Sequence, residues 1–158
     1  MSGSDSAYHY STLSCSAPGS LPGHTVRVTL ADMGMTRMMG GTAPMGAHMM
    51  LHANPAMVPV GQVSVVVSNM GWRAHELVIL PLAAGATAGQ RIVGSGGKVA
   101  ETGSLGEASG NCSVGAGSGI PAGRVGWVTV TLAAGTYELV CNLPNHYADG
   151  MFQKIVVG

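Results

Sequence analysis

The sequence has few charged residues and few aromatic ones. Lys, Arg, Asp and Glu make up 9 % of its 158 residues, and seven basic side chains balance seven acidic ones. An average globular protein carries about 25 % charged residues. Nucleic-acid binding needs a basic face that neutralises phosphates, so we expect no nucleic-acid partner. The apolar share of 46 % also argues against a disordered chain.

Long apolar runs are missing as well. The longest, residues 77–84, contains Pro81 and falls far short of the ~18 residues of a transmembrane helix. The chain opens with Met-Ser-Gly-Ser-Asp-Ser and has no secretory signal there. We therefore expect no transmembrane segment, and we expect that a signal peptide or anchor has been removed. A membrane tether upstream of the chain is compatible with this reasoning.

The chain has only three cysteines, Cys15, Cys112 and Cys141. Cys15 and Cys112 lie in Gly- and Ser-rich contexts typical of loops, whereas Cys141 ends an apolar alternating run. We predict a Cys15–Cys112 disulfide and a free Cys141 thiol; three free thiols remain the alternative. The disulfide would place the protein outside the cytoplasm, in a periplasm, at a cell surface or secreted.

Apolar residues that alternate with polar ones predict β-strands, and no segment has a convincing helical period. The predicted strands are residues 24–31, 47–52, 62–69, 75–80, 125–132, 136–141 and 151–157. Short strands separated by Gly and Pro turns are typical of an all-β sandwich or barrel.

The rest of the chain divides into three irregular parts of one predicted domain, residues 1–158. Residues 1–23 form an N-terminal extension, and residues 33–57 are rich in Met and His. Residues 83–120 contain 11 glycines and are predicted to be a long loop insertion that wraps the surface of the sandwich. The glycines do not match a phosphate-binding loop, and no helix follows them.

A motif near the C-terminus carries the clearest chemistry. Cys141, His146 and Met151 are spaced C-x4-H-x4-M, from the end of one predicted strand to the start of the next. Thiolate and thioether ligands beside imidazole favour copper, and a blue-copper site takes two histidines, one cysteine and a weak axial methionine. His75, at the start of a predicted strand, is the best candidate for the second histidine. Zinc is the nearest rival, but a thioether is a poor zinc ligand.

With these residues in view, the chain resembles a cupredoxin over roughly residues 26–157. The Cys141-x4-His146-x4-Met151 spacing with its Leu-Pro-Asn-His turn is similar to the sulfocyanin, auracyanin and rusticyanin branches. The run Ala-His-Glu-Leu-Val-Ile around His75 and the Gly-rich insertion most resemble bacterial sulfocyanin-like proteins. The resemblance implies a Greek-key sandwich of about eight strands. It also implies one-electron transfer by a type 1 copper, held by His75, Cys141, His146 and Met151.

Electron exchange needs a surface for redox protein partners, and we expect docking near His146. This residue follows Pro144 in a loop, so it should lie nearest the surface. Leu143, Pro144, Tyr147 and Ala148 are predicted either to form an apolar docking patch or simply to pack the loop. The oligomeric state and the identity of the partners do not follow from the sequence.

The Met-rich segment suggests a different function. Eight of the 11 methionines lie within residues 33–57. They either fill gaps in a core short of Phe or bind a second copper as Cu(I), with His48, Met50 and His52 on one strand face. A copper-binding protein for Cu(I) delivery or tolerance is therefore the alternative to an electron carrier. Copper oxidases and nitrite reductases need further clustered histidines, which the chain lacks, so we expect no enzyme.

Overall fold

The computed structural model describes residues 12–32 and 49–158, and this part of the chain forms two β-sheets packed face to face. Its nine strands, in chain order, are β1 (His24–Asp32), β2 (Met49–Asn54), β3 (Met57–Val58), β4 (Gly61–Asn69), β5 (Leu77–Leu82), β6 (Gly106–Ala108), β7 (Val125–Leu132), β8 (Gly135–Val140) and β9 (Phe152–Val157). The predicted all-β sandwich is confirmed, with nine strands in place of about eight. Within these described ranges, no helix has the length and apolar character needed to cross a membrane.

The strand order is β2-β1-β4-β7 in one sheet and β3-β9-β8-β5-β6 in the other. β1 runs parallel to β4, and β3 runs parallel to β9, while the other neighbours are antiparallel. The core lies between the sheets and takes alternate residues from both. On β2, for example, Met49 and Leu51 are buried, Met50 is half-buried and His52 is exposed. Alternation in the sequence therefore predicted this strand's two faces correctly.

The predicted N-terminal extension packs on the sandwich where it is described. Most of residues 13–21 line a cavity of about 330 Å³ together with residues of β1, β4 and β7. The predicted Cys15–Cys112 disulfide is present and joins residues 97 apart in the sequence. The backbone NH of Ser14 also donates to the carbonyl of Gly123, at 2.9 Å. This cover explains why Val66, on the outer face of β4, is buried.

The sequence predicted that the Gly-rich residues 83–120 form a loop throughout. In the structure they are only partly loop. They contain β6, which pairs with the first half of β5, and an isolated bridge between Val93 and Val99. β6 is three residues long, so it has too few positions to show alternation. The predicted strand at residues 75–80 also begins later, at Leu77, because the backbone of His75 pairs with Ile120 in a separate bridge.

Candidate metal centre

Three strand ends meet at one end of the sandwich and carry the predicted ligands. Cys141 directly follows β8, Met151 directly precedes β9, and His75 lies two residues before β5. β8 is paired with β5 on one side and with β9 on the other. Its last residue, Val140, lies opposite the second residue of β5 and the first residue of β9. The register of the sheet therefore brings together positions that are far apart in the sequence.

Two imidazole nitrogens and one sulfur converge in this region. The distance from Cys141 Sγ is 3.3 Å to His146 Nδ1 and 3.8 Å to His75 Nδ1, and the two Nδ1 atoms are 3.2 Å apart. All three residues are buried, and they form the group that can hold a metal ion within the described part of the chain. Each presents its ligand atom to the same small volume, as a metal with three strong ligands requires.

Met151 lies beside this cluster through its backbone. The NH of Cys141 donates to the carbonyl of Met151 at 3.1 Å, and the NH of Met151 donates to the carbonyl of His146 at 3.2 Å. The side chain is fully buried and belongs to the same apolar core cluster as Cys141. Met151 is therefore a backbone neighbour of two of the three residues of the cluster.

The loop between Cys141 and Met151 brings His146 close to the surface. His146 is 9 % exposed, whereas the other three predicted ligands are 0 % exposed. Pro144 and Ala148 are exposed on either side of it, and Leu143 is half-buried. Tyr147 is only 2 % exposed, so of the two alternatives that the sequence left open for it, packing of the loop applies and the docking patch does not. Tyr147 belongs to a second buried apolar cluster, separate from the main core, with Val78, Leu80, Val99 and Val140.

Asp32 is a neighbour of the cluster that the sequence did not reveal. Its Oδ1 lies 3.0 Å from Nε2 of His75, which fixes that ring and leaves Nδ1 facing the cluster. The carboxylate also accepts from the backbone NH groups of Trp72 and Arg73. Burial opposes ionisation, but the hydrogen bonds from His75, Trp72 and Arg73 outweigh it and hold the pKa of Asp32 below its ordinary value. No local motif marks Asp32, since 43 residues separate it from His75.

The electrostatics of the cluster fit a metal site. Burial, with a contribution from His75, lowers the pKa of His146 to about 4, so its imidazole is neutral and able to ligate. Burial raises the pKa of the Cys141 thiol to about 11, although the backbone NH of Glu76 donates to its sulfur at 3.3 Å. A bound cation reverses this effect, because a coordinating thiol loses its proton. The imidazoles of His75 and His146 with the thiol of Cys141, whose proton a metal displaces, form a donor set that suits copper.

The predicted second site is described only in part. Met50 and His52 lie on the same face of β2, the outer strand of its sheet in the described part of the chain. His48 and most of the Met-rich segment lie outside the described residues. The exposed face of β2 therefore provides one imidazole and one thioether of the predicted set.

Comparisons with known proteins agree with the site and the fold. Residues 48–158 match the family described as "Sulfocyanin (SoxE) domain", while a search of curated proteins found no match. Among solved structures, the copper protein rusticyanin is 26 % identical over 86 % of this chain and 79 % of its own, with a TM-score of 0.52. Rusticyanin from Thiobacillus ferrooxidans is 24 % identical over 91 % and 87 %, with a TM-score of 0.51. Auracyanin B is 18 % identical over 95 % and 99 %, with a TM-score of 0.54.

The family match covers most of the chain and includes every residue of the predicted ligand set. The structural matches show the same sandwich, and the cluster of His75, Cys141 and His146 lies at its end. The chain therefore belongs to the sulfocyanin domain family within the cupredoxins, and its cofactor is one type 1 copper.

Proposed function

We propose that the protein is a carrier of single electrons that works outside the cytoplasm and exchanges them with redox protein partners at the surface near His146. The observation that carries this proposal is the convergence of Cys141 Sγ with Nδ1 of His75 and Nδ1 of His146 in a buried site. When bound there, copper supplies one-electron chemistry by alternating between Cu(II) and Cu(I). His75, Cys141 and His146 would hold it, and the Met151 thioether would be a weak further ligand that tunes its potential.

Each residue has a role that follows from its surroundings. Asp32 orients His75, the core packing around Cys141 excludes water from the sulfur, and the partial exposure of His146 offers the shortest route to a partner. The exposed Pro144 and Ala148 flank that route, and Asp149 is the only charged residue of the loop between Cys141 and Met151. A weakly charged contact of this kind suits small and transient encounters, which electron-transfer partners usually form.

The proposed location rests on two observations. The chain carries a disulfide between Cys15 and Cys112, and disulfides persist mainly in oxidising compartments. The copper protein family to which it belongs points the same way. We also propose that the protein is a carrier and not an enzyme, because its sequence lacks the additional clustered histidines of copper oxidases.

The decisive experiment is the addition of Cu(II) to the metal-free protein after Cys141 has been confirmed as reduced. An intense visible thiolate-to-copper band, reversible one-electron voltammetry and loss of the band in Cys141→Ala would support the proposal. A colourless wild-type protein that binds copper would overturn it. The Cys15–Cys112 bridge stays intact in both proteins, so the comparison isolates the free thiol.

Copper delivery or tolerance remains the second candidate, and the exposed His52 beside Met50 on β2 favours it. Cu(I) titration of Cys141→Ala removes the first site from the measurement. Tight Cu(I) uptake that disappears when Met50→Ala and His52→Ala are added would support a second site. Equal uptake with and without these two substitutions would exclude the predicted face as its location.

A further inference from the structure

The loop that carries Cys141 and His146 is held from outside by part of the Gly-rich insertion. Asn142 accepts a hydrogen bond at Oδ1 from the NH of Val99, and its Nδ2 donates to the carbonyl of Val99, both at 2.9 Å. Nδ2 also donates to Oε2 of Glu101 at 2.8 Å. Asn142 is buried. Its side-chain amide pairs with the backbone of Val99 as a neighbouring strand would, and so joins the metal-binding loop to the insertion. The residue that follows Cys141 is thereby fixed to the insertion.

A second connection runs through the buried carboxylate of Glu138 on β8. Glu138 accepts from Nε of Arg91 at 2.6 Å, from the NH of Gly89 at 2.8 Å and from the hydroxyl of Tyr147 at 2.7 Å. The NH of Arg91 also donates to the Tyr147 hydroxyl, at 3.1 Å. A buried charge is costly unless it is fully paired, so these partners are strongly constrained. The residue that follows His146 is thereby tied to the same insertion.

A third contact depends on the absence of a side chain at Gly97. The NH of Asn145 donates to the carbonyl of Gly97 at 2.8 Å. Gly97 has φ +76°, and a Cβ there would lie 2.5 Å from Oδ1 of Asn145 and 2.8 Å from its backbone nitrogen. The turn at Gly97 is therefore in direct contact with Asn145, the residue that precedes His146. Only glycine fits at position 97 without displacing Asn145.

We propose that residues 89–101, which we call the clamp segment, are a positioning element for the metal-binding loop. They fix Asn142, which follows Cys141, and Asn145 and Tyr147, which lie on either side of His146 along the chain. Movement of any of the three changes the separation of Cys141 Sγ and His146 Nδ1. The clamp segment thus holds the two ligands in one arrangement with or without metal. The role in electron transfer rests on the proposed function, whereas the restraint on the loop does not.

The first test uses metal-free protein and two matched pairs of variants. Tyr147→Phe removes one hydroxyl that bridges the clamp and the loop; Tyr137→Phe removes a β8 hydroxyl that donates instead to Ala133. Gly97→Ala places a methyl against Asn145, whereas at Gly96 a Cβ meets nothing within 4 Å, so Gly96→Ala is its control. Amide hydrogen exchange of residues 142–151, followed by NMR, should accelerate on the order of tenfold or more in the first variant of each pair.

The second test loads the same variants with copper and records the visible band and the rate of copper release to a chelator. We expect a shifted band and roughly tenfold faster release in Tyr147→Phe, with both unchanged in Tyr137→Phe. Loop exchange equal to that of the controls would overturn the proposal, and so would a normal band and release rate. If Gly97→Ala fails to fold, the comparison of Tyr147→Phe with Tyr137→Phe decides on the proposal by itself. A wild-type protein without a blue band would refute the electron-carrier proposal, while the exchange test would still decide on the clamp.

Discussion

Replacing Asp32 by Asn tests how far the partner of His75 sets the reduction potential. The carboxylate lies 3.0 Å from Nε2 of His75 and is only 13 % exposed, so solvent screens it weakly. A hydrogen bond to a charged group contributes about 1.5–3 kcal/mol and a neutral one about 0.5–1.5 kcal/mol, a difference of about 1 kcal/mol. The negative charge favours the more positive, oxidised metal. For a one-electron couple, a tenfold change in the equilibrium constant of reduction corresponds to about 59 mV. A free-energy difference of about 1 kcal/mol is somewhat less than tenfold, so we expect the potential to rise by about 40 mV in Asp32→Asn.

The assay is voltammetry of the copper-loaded proteins, with Asp149→Asn as the control. Asp149 is an exposed acid of the metal-binding loop, so its replacement removes the same charge without touching His75. We expect a shift less than half as large there, because exposed charges are screened. Equal shifts in the two variants would show that the potential responds to the overall charge of the protein and not to the Asp32–His75 contact. An unchanged or lowered potential in Asp32→Asn would refute the reasoning altogether.

Three further predictions concern the axial position, the disulfide and the metal. Met151→Leu conserves volume in the core, so we expect a folded protein that keeps the visible band but has a higher potential by voltammetry, since the oxidised ion loses a donor; loss of the band would contradict a weak axial role. Replacing Cys15 and Cys112 together by Ala should lower the free energy of unfolding, measured with urea, by about 4–5 kcal/mol on the chain-entropy model. The potential should not change, and a large shift would mean that the disulfide restrains the site. Removing copper with a chelator should lower the melting temperature without unfolding the protein at 25 °C, because the metal stabilises the folded state by mass action; an unfolded metal-free protein would show that the ligand cluster is not formed in advance.

The sequence predicted well those features that leave a local pattern. The order and spacing of Cys141, His146 and Met151 indicated the chemistry of the site, and alternation located most strands to within two residues. His75 could be chosen because a strand start is a suitable place for a ligand. The disulfide followed from the loop-like surroundings of its two cysteines. In each case the information lay within a few residues of the feature itself.

The features that escaped prediction are contacts between segments far apart in the sequence. Asp32 reaches His75 across 43 residues, and Glu138 reaches Arg91 across 47. Such contacts depend on single side chains and on the register of the sheets, which leave no periodic signal. For the same reason the sequence left Tyr147 undecided between a docking patch and packing of the loop, and its buried acceptor, Glu138, decides for packing.

The pairing of β8 with β9 has a consequence for how the site is assembled. This hairpin carries Cys141 and His146, only 5 residues apart, whereas His75 is separated from Cys141 by 66 residues. Chain entropy makes the longer closure costlier by roughly 2 kcal/mol. The thiol and one imidazole are thus brought together by a local hairpin, and the cost of completing the site falls on the docking of β5. The three-residue cluster is therefore complete only after β5 has docked and His75 has joined Cys141 and His146.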